Sequence, residues 1–489
     1  MSFVTGDQMR KIEGAAFQRG ISAEALMDEA GAGIGRRLMA HFPQPGAAVA
    51  YLGKGNNGGD ALVALKVLRQ AGWAISIRTA IPENQWTSLA QRKLAELGPD
   101  LSRELPVLPV DGTLLLLDGL LGIGAKGAPR GPLAPLAAEM ESLRRDWGAV
   151  VAAIDLPSGL DSDTGTEDAV TADLTVTVSV PKKGLVTEAG TGCSGRILVV
   201  PVKDLPPPDD AGPTLFCPDF FPGLLPPRPH DFHKGDAGRL GILAGSPGMT
   251  GAAVMSATAA LTMGAGLIVL HLDQRTADSI VAPLPPEIML KISDDPVKAA
   301  FEMRHDALVI GPGWGDDEER LEALVKRLEC SNRPCLLDAD ALNGIAAKHH
   351  QGVLKEHHLI TPHPGEFKRL ASDLAELPRQ EAAAQFVARH PCTLLLKGAR
   401  TVVAAPGQPL RINPTGHGGM ASGGQGDTLS GVAGALLAGG VKGIDAASLA
   451  AWLCGRAAER GLTNGPYTTA SDTLRHLGAA VLDWQRRLR

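Results

Sequence analysis

An aspartate ends a run of small residues in Met420-Ala-Ser-Gly-Gly-Gln-Gly-Asp-Thr-Leu-Ser-Gly431. Ala421, Ser422, Gly423, Gly424 and Gly426 surround the approach to Asp427, and an apolar, helix-like stretch follows. Glycine lets backbone N–H groups converge on one point without a Cβ in the way. A helix start adds unpaired donors and partial positive charge. Such a nest attracts a phosphoryl group, and a carboxylate held beside it accepts a proton from an alcohol. A glycine-rich turn that merely enters a buried helix is the plainer alternative.

A second set of polar residues lies in the first half. Gly53-Lys-Gly55-Asn-Asn-Gly58 and Gly122-Ile-Gly124-Ala-Lys-Gly127 both match G-x-G-x-x-G, a pattern that cradles dinucleotide phosphates between a strand and a helix. The acidic partner expected about 20 residues further on is missing after Gly53, which speaks against a simple NAD-dependent dehydrogenase. Asn56 and Asn57 offer amide oxygens, and Asp60 is placed to cap a helix. Asp118, Asp155 and Ser158 stand at neighbouring strand ends. Together these oxygens suit a hard cation, although Asp118 and Asp155 taken singly read equally well as caps or turn residues. Asp161 and Asp163 are expected to stabilise the turns between Gly159 and Gly165.

Those residues need elements to hold them. Strands are expected at Ala47–Leu52, Leu114–Leu117 and Val150–Ile154, with a helix over Ala61–Gln70. The loops 53–60, 118–127 and 155–161 then leave the carboxyl ends of strands, where ligands bind in open α/β sheets. In the second half, short apolar runs at 240–244, 267–270, 307–310, 335–337, 359–360 and 393–396 alternate with helices at 250–263, 316–329, 364–376 and 426–438. That alternation favours βαβ units and parallel sheets. Between the halves, Leu205-Pro-Pro-Pro-Asp-Asp-Ala-Gly-Pro213 and Pro222-Gly-Leu-Leu-Pro-Pro-Arg-Pro229 are too rich in proline for a central element.

At 489 residues the chain exceeds one ordinary core, so two or more domains are expected. It is 44% hydrophobic and 20% charged, a globular composition. A net charge of −6 and 4% aromatics argue against a nucleic-acid face. The six cysteines are scattered and read as reduced thiols. No secretory signal or long apolar span is evident, and the cytoplasm is the expected location.

Asn56-Asn-Gly-Gly-Asp60, Asp118-Gly-Leu-Leu-Gly122 and Asp155-Leu-Pro-Ser-Gly159 resemble the three signature loops of the NAD(P)H-hydrate epimerase family. The resemblance covers residues 1–205 and implies a Rossmann-like three-layer α/β domain. It implies that Asn56, Asn57, Gly58, Gly59, Asp60, Gly122, Ile123, Gly124, Ala125, Lys126, Gly127 and Ala128 contact a hydrated nicotinamide nucleotide. It further implies that Asn57, Asp118 and Ser158 hold K⁺ and that Asp155 relays protons. Gly119 stands where alanine is common in such loops, and Lys126 departs from the residue types expected there.

The second half carries His233-Lys-Gly-Asp-Ala-Gly238, Gly311-Pro-Gly-Trp-Gly315, His363-Pro-Gly-Glu366 and Leu396-Lys-Gly-Ala-Arg-Thr401 beside the Asp427 segment. This set resembles the ADP- or ATP-dependent NAD(P)H-hydrate dehydratases, whose fold is ribokinase-like α/β. Phe232 stands where such proteins often carry a small polar residue. The resemblance implies a dehydratase domain over 229–489 behind a proline-rich linker, 206–228. Lys397, Gly398, Ala399, Arg400, Thr401 and Gly426 would bind the adenine nucleotide. Ala253, Gly313 and His363 would contact the hydrate, Asp427 would be the base, and Mg²⁺ would accompany ADP. The combined expectation is a bifunctional isomerase and lyase that repairs hydrated NADH and NADPH, with small-molecule partners only and a homo-oligomeric state.

Plainer readings stand beside these. His363 could shape a loop, Lys397 could be a solvated charge, and Trp314 could be packing. The pairs His349-His350 and His357-His358 read as solvated. No Walker-type phosphate loop occurs. A ribokinase-like kinase of a vitamin precursor is the competing activity, and a non-catalytic nucleotide-binding or scaffolding module is the competing reading of the first half.

Overall fold

The computed structural model describes residues 2–106, 112–166, 168–208, 212–280, 283–462 and 465–486. Residues 209–211 of the expected linker lie outside them. The chain divides into two compact units, the first ending at Leu215 and the second starting at Phe216.

The first unit is built on strands β1 (Ala47–Leu52), β2 (Ala74–Thr79), β3 (Leu114–Gly119), β4 (Val150–Ile154), β5 (Leu174–Val178) and β6 (Arg196–Val200). They lie in the order β2-β1-β3-β4-β5-β6, and every neighbouring pair is parallel. Side chains alternate between two cores. Ala48, Ala50 and Leu52 pack with helices Ala23–His41 and Asn56–Gln70, whereas Ala47, Val49 and Tyr51 pack with helix Ala134–Trp147. A sheet covered on both faces reads as apolar runs rather than as alternation. The strand order reverses between β1 and β3, which opens a crevice beyond their carboxyl ends. Gly53 makes that junction possible, since a Cβ there would lie 1.9 Å from Leu120 O.

The helix after β1 begins at Asn56, earlier than the expected Ala61. Its N-cap is Gly55, which makes no side-chain cap bond, and Asp60 lies inside the helix rather than capping it. Glycines at 58 and 59 weaken the helical signal but permit close approach: a Cβ on Gly58 would lie 2.7 Å from Gly53 O.

In the second unit the parallel strands run in the spatial order Ile288–Ile292, Leu267–Leu272, Arg239–Leu243, Ala307–Ile310, Cys335–Leu337, His358–Ile360 and Thr393–Leu396. Val402–Ala404 and Arg411–Ile412 extend the sheet antiparallel. Helix Thr250–Met263 buries Ala253, Ser256, Ala257, Ala259 and Ala260. It lies so close to helix Gln425–Ala438 that a Cβ on Gly431 would meet Ser256 O at 2.1 Å. The helix expected over 364–376 ends at Leu370 and gives way to a 3₁₀ turn, Ser372–Leu374, because Ser372 and Asp373 favour turns over helix interiors. His358, expected to be solvated, is a buried strand residue whose Nδ1 accepts from Lys355 N at 3.1 Å. In the proline-rich stretch, Phe216 is buried in the second unit's core, and Phe221, Leu224 and Leu225 pack against that core.

Candidate active sites

In the first unit, Asp118 is the last polar position of β3 and is fully buried. Its Oδ1 accepts from Ser158 Oγ at 2.5 Å and Leu120 N at 3.3 Å, and its Oδ2 from Ser158 N at 2.7 Å. All these donors are neutral. Burial outweighs them and pushes the carboxyl up to about 6. Ser158 Oγ also accepts from Leu121 N at 2.8 Å, while Asn57 Nδ2 donates to Leu121 O at 2.9 Å. Leu121 thereby joins Asn57 to Ser158, and both to Asp118. This oxygen-only set, with one buried carboxylate and no basic partner among the described residues, fits a hard cation.

The flanking loop closes over this set. Gly127 N donates to Gly159 O at 2.8 Å, Ala125 N to Gly122 O at 3.0 Å, and a Cβ on Gly122 would lie 3.3 Å from Asn57 Cβ. Ile123 packs on the core, while Asn56, Gly124 and Ala128 stay exposed at the rim. Gly58 and Gly59 are buried in the helix's first turn. Lys126 is exposed and pairs with Asp161 Oδ2 at 2.9 Å. Asp161 Oδ1 accepts from Asp163 N and Thr164 N, which builds the turn expected of it.

Asp155 follows β4 with φ +64°, an uncommon conformation for a residue with a Cβ. Its Oδ1 accepts from Val178 N at 2.9 Å, from Thr177 Oγ1 at 3.1 Å and, more closely, from Lys182 Nζ. Asp60 and Glu13 belong to the same electrostatic cluster. Burial first, and the Asp155 charge second, hold both carboxyls above the usual range. Lys182 and Glu13 escaped the sequence reading. Lys182 sits in Pro181-Lys-Lys183 and looks like an ordinary basic turn, and Glu13 lies on an amphipathic helix, Gly6–Gln18.

In the second unit, helix Gln425–Ala438 starts behind Gly424, whose φ is +86°, with no side-chain cap. The first-turn N–H groups therefore have no side-chain acceptor, and Asp427 sits among them. Burial pushes its carboxyl up to about 6; Asp338 and Asp340 add to the rise and Lys397 opposes it. Lys397 is not a solvated charge. Its Nζ lies 2.9 Å from Asp338 Oδ1 and 3.8 Å from Glu366 Oε2. Burial works against that ammonium, but Asp338 and Glu366 outweigh it and hold its pKa above the usual lysine value. Gly426 adjoins it, since a Cβ there would be 3.5 Å from Lys397 Nζ. Ser430 Oγ donates to Asp338 Oδ2 at 2.7 Å.

The neighbouring loops pack against one another through glycines. A Cβ on Gly313 would meet Ala252 Cβ at 2.8 Å, and one on Gly245 would meet Ala253 Cβ at 2.9 Å. Gly315 N donates to Asp340 Oδ2 at 2.8 Å. Trp314 is buried packing. His363 caps helix Pro364–Leu370 through Nδ1, which accepts from Gly365 N at 3.0 Å, while Nε2 stands 3.5 Å from Glu366 Oε1. In the 397–401 loop the Arg400 side chain is buried and donates to Pro414 O at 3.3 Å, while Gly398 and Ala399 are exposed. Thr401 Oγ1 donates to Gly398 O at 3.0 Å and closes the turn. Asp338, Asp340 and Ser430 were not anticipated. The signal was present, because Asp338 follows strand Cys335–Leu337 as Asp155 follows β4.

Parallel α/β sheets with a carboxylate beside an uncapped helix start in each unit define an enzyme with two nucleotide-directed sites. Residues 240–477 match the family model described as NAD(P)H-hydrate dehydratase, and residues 23–184 match the YjeF-related protein N-terminus. Bifunctional NAD(P)H-hydrate repair enzymes are similar along nearly the whole chain. The one from Moorella thermoacetica is 34% identical over 94% of this chain and 92% of that protein. The Coxiella burnetii enzyme is 32% identical over 97% and 98%, and the Escherichia coli enzyme 34% over 91% and 86%. Among solved structures, the ADP/ATP-dependent NAD(P)H-hydrate dehydratase of Bacillus subtilis, co-crystallised with ATP and Mg²⁺, is 29% identical over 58% of this chain and all of that one, with a TM-score of 0.45. The chain belongs to the family of bifunctional NAD(P)H-hydrate repair enzymes. Its class is the expected α/β one, with a parallel sheet in the first unit and a mostly parallel sheet in the second.

Proposed function

We infer that the first unit interconverts the R and S hydrates of NADH and NADPH and that the second dehydrates the S hydrate with ADP, releasing AMP and phosphate. The observation that carries this reading is Asp427, partly buried, in the uncapped first turn of a helix and in the field of Lys397. The Asp427 carboxylate takes the proton of the ring hydroxyl, whose oxygen attacks the outer phosphorus of ADP, with AMP leaving. The phosphate ester then departs with its bonding pair as the ring nitrogen lone pair forms a C=N⁺ bond, and the neighbouring ring carbon gives up a proton to the departing phosphate, so that the C=C bond of the neutral reduced ring is restored. Lys397 and the N–H groups around Gly423–Gly426 balance the charge on the transferring group. The Gly398–Thr401 backbone lines the nucleotide side, and Ala253, Gly313 and His363 the hydrate side. Asp338 and Asp340 supply carboxylate oxygens of the kind that, with phosphates, hold Mg²⁺; a bound Mg²⁺ would neutralise phosphate charge.

In the first unit, residues 56–60 and 122–128 would seat the hydrate, with Asp155 exchanging its proton. Asn57, Asp118 and Ser158 would hold K⁺, which supplies fixed positive charge beside that pocket. The six free cysteines suit the cytoplasm, and among the described residues no helix is long and apolar enough to cross a membrane. An edge strand with exposed Met289, Leu290 and Ile292 supports a homo-oligomer.

The test is purified protein with separated hydrate epimers and ADP or ATP, following the return of reduced-cofactor absorbance. Asp155→Ala should block conversion of the R hydrate only, and Asp427→Asn should block dehydration only. A stable phosphorylated product in place of free phosphate and reduced cofactor would make the second unit a kinase.

A further inference from the structure

All three hydrogen bonds to the Asp155 side chain end on Oδ1. Among the described residues Oδ2 accepts none, and the Asp155 side chain keeps 16% of its surface exposed, so Oδ2 is the oxygen a ligand can meet. Lys182, by contrast, is fully buried. Beyond Asp155, among the described residues, its ammonium reaches Val178 O at 3.1 Å and Thr177 Oγ1 at 3.4 Å. A lysine is seldom enclosed this completely without a specific anion. The chain on either side of it is pinned: Val4 N donates to Pro181 O at 3.1 Å and Lys183 N to Val4 O at 2.9 Å. The ammonium is thus held against one oxygen of a carboxylate whose own backbone is constrained at φ +64°.

We propose that Lys182 is a positioning residue for the epimerisation, fixing Asp155 through Oδ1 so that Oδ2 meets the substrate in one orientation. The proposal rests on the reading of Asp155 as the proton-exchanging group. In ring opening, the hydroxyl proton of the hydrated carbon passes to Oδ2 as the C–N bond breaks. The bonding pair goes to nitrogen, which takes the proton back from Oδ2, and the hydrated carbon becomes an aldehyde. Closure on the opposite face reverses each transfer. Lys182 keeps its proton throughout.

The experiment uses the full chain with purified R hydrate and measures S hydrate formed, with dehydration of S hydrate assayed in parallel. Lys182→Met should lower epimerase kcat by about 30-fold or more and leave KM within about threefold, as expected for misplacement of a reacting group. Dehydration should be unchanged. Ethylammonium should restore Lys182→Ala saturably but not Asp155→Asn. The proposal is overturned if Lys182→Met keeps kcat within about threefold of the parent. It is equally overturned if Lys182→Ala, folded by circular dichroism, gains nothing from the amine. An Asp155→Asn protein that epimerises at the parent rate removes the underlying reading itself, a result separate from either of these.

Discussion

Asp338 gives one carboxylate oxygen to Lys397 Nζ at 2.9 Å and the other to the Ser430 hydroxyl at 2.7 Å. One buried side chain at the end of a central strand thus joins the loop after strand Thr393–Leu396 to the helix that carries Asp427. Two of the elements that bear the expected chemistry are held in register by a residue that does not itself exchange a proton.

Asp338→Asn tests that coupling. Removing one charge of a buried pair costs about 3–5 kcal/mol in a fully enclosed setting. Lys397 is partly exposed and keeps Glu366 nearby, so about 1–3 kcal/mol is expected here. Dehydratase kcat/KM should fall about 10- to 100-fold, with epimerisation untouched. The pH–rate profile carries a sign. After burial, Asp338 is the largest influence raising the Asp427 carboxyl to about 6. Without that charge the acid limb should move to lower pH, and a limb that stays in place or rises contradicts the arrangement.

Much of this was readable in advance, for definite reasons. Strands buried on both faces, such as Leu114–Gly119 and Ala307–Ile310, announce themselves as apolar runs. The edge strand Ala74–Thr79 is only partly buried, and its mixed Ala-Ile-Ser-Ile-Arg-Thr pattern gave no such signal. Loops whose backbone approaches a ligand must use glycine, so the 53–60 and 420–427 segments stood out. Lys182, Asp338 and Glu13 did not, because their roles arise from partners far away in sequence. Lys182 meets Asp155 across 27 positions, and Lys397 meets Asp338 across 59. A local motif likewise cannot show that the Arg400 side chain is buried and reaches Pro414 O.

Potassium should stabilise the first unit, and pH should gate the effect. Burial lifts the Asp118 carboxyl to about 6 against the opposing hydrogen bonds from Ser158 and Leu120. In the cation-free protein, stability falls as pH rises from the unfolded value near 3.9 through about 6, because the native state binds more protons across that window. A cation offsets the charge that appears there. KCl should therefore raise the melting temperature at pH 8 by about 2–8 °C over tetramethylammonium chloride at equal ionic strength. The gain at pH 5 should be much smaller, and Asp118→Asn should abolish it. Equal melting in the two salts at pH 8 would remove K⁺ from this site.

The Asp427 carboxylate should be a liability for the fold of the second unit. The Asp427 pKa is about 6 in the native protein, raised by burial and by Asp338 and Asp340, against about 3.9 unfolded. Between those values the native state binds more protons than the unfolded one, so stability is lost as pH rises through the window and stays lower above it. Asparagine has the same shape and no charge to desolvate. That difference corresponds to about 3 kcal/mol, and partial exposure with Lys397 nearby reduces the expected gain to about 1–2 kcal/mol. Asp427→Asn should therefore be more stable than the parent at pH 8, with the difference vanishing near pH 4, when urea unfolding of the second unit is followed by its own transition. The same variant should have lost dehydration. A gain in stability joined to a loss of turnover is what a group poised for proton transfer produces, because the environment that raises its pKa toward neutrality is the one that disfavours its charge. A variant less stable than the parent at pH 8 would mean that Asp427 serves the packing of its helix more than the chemistry at the helix start.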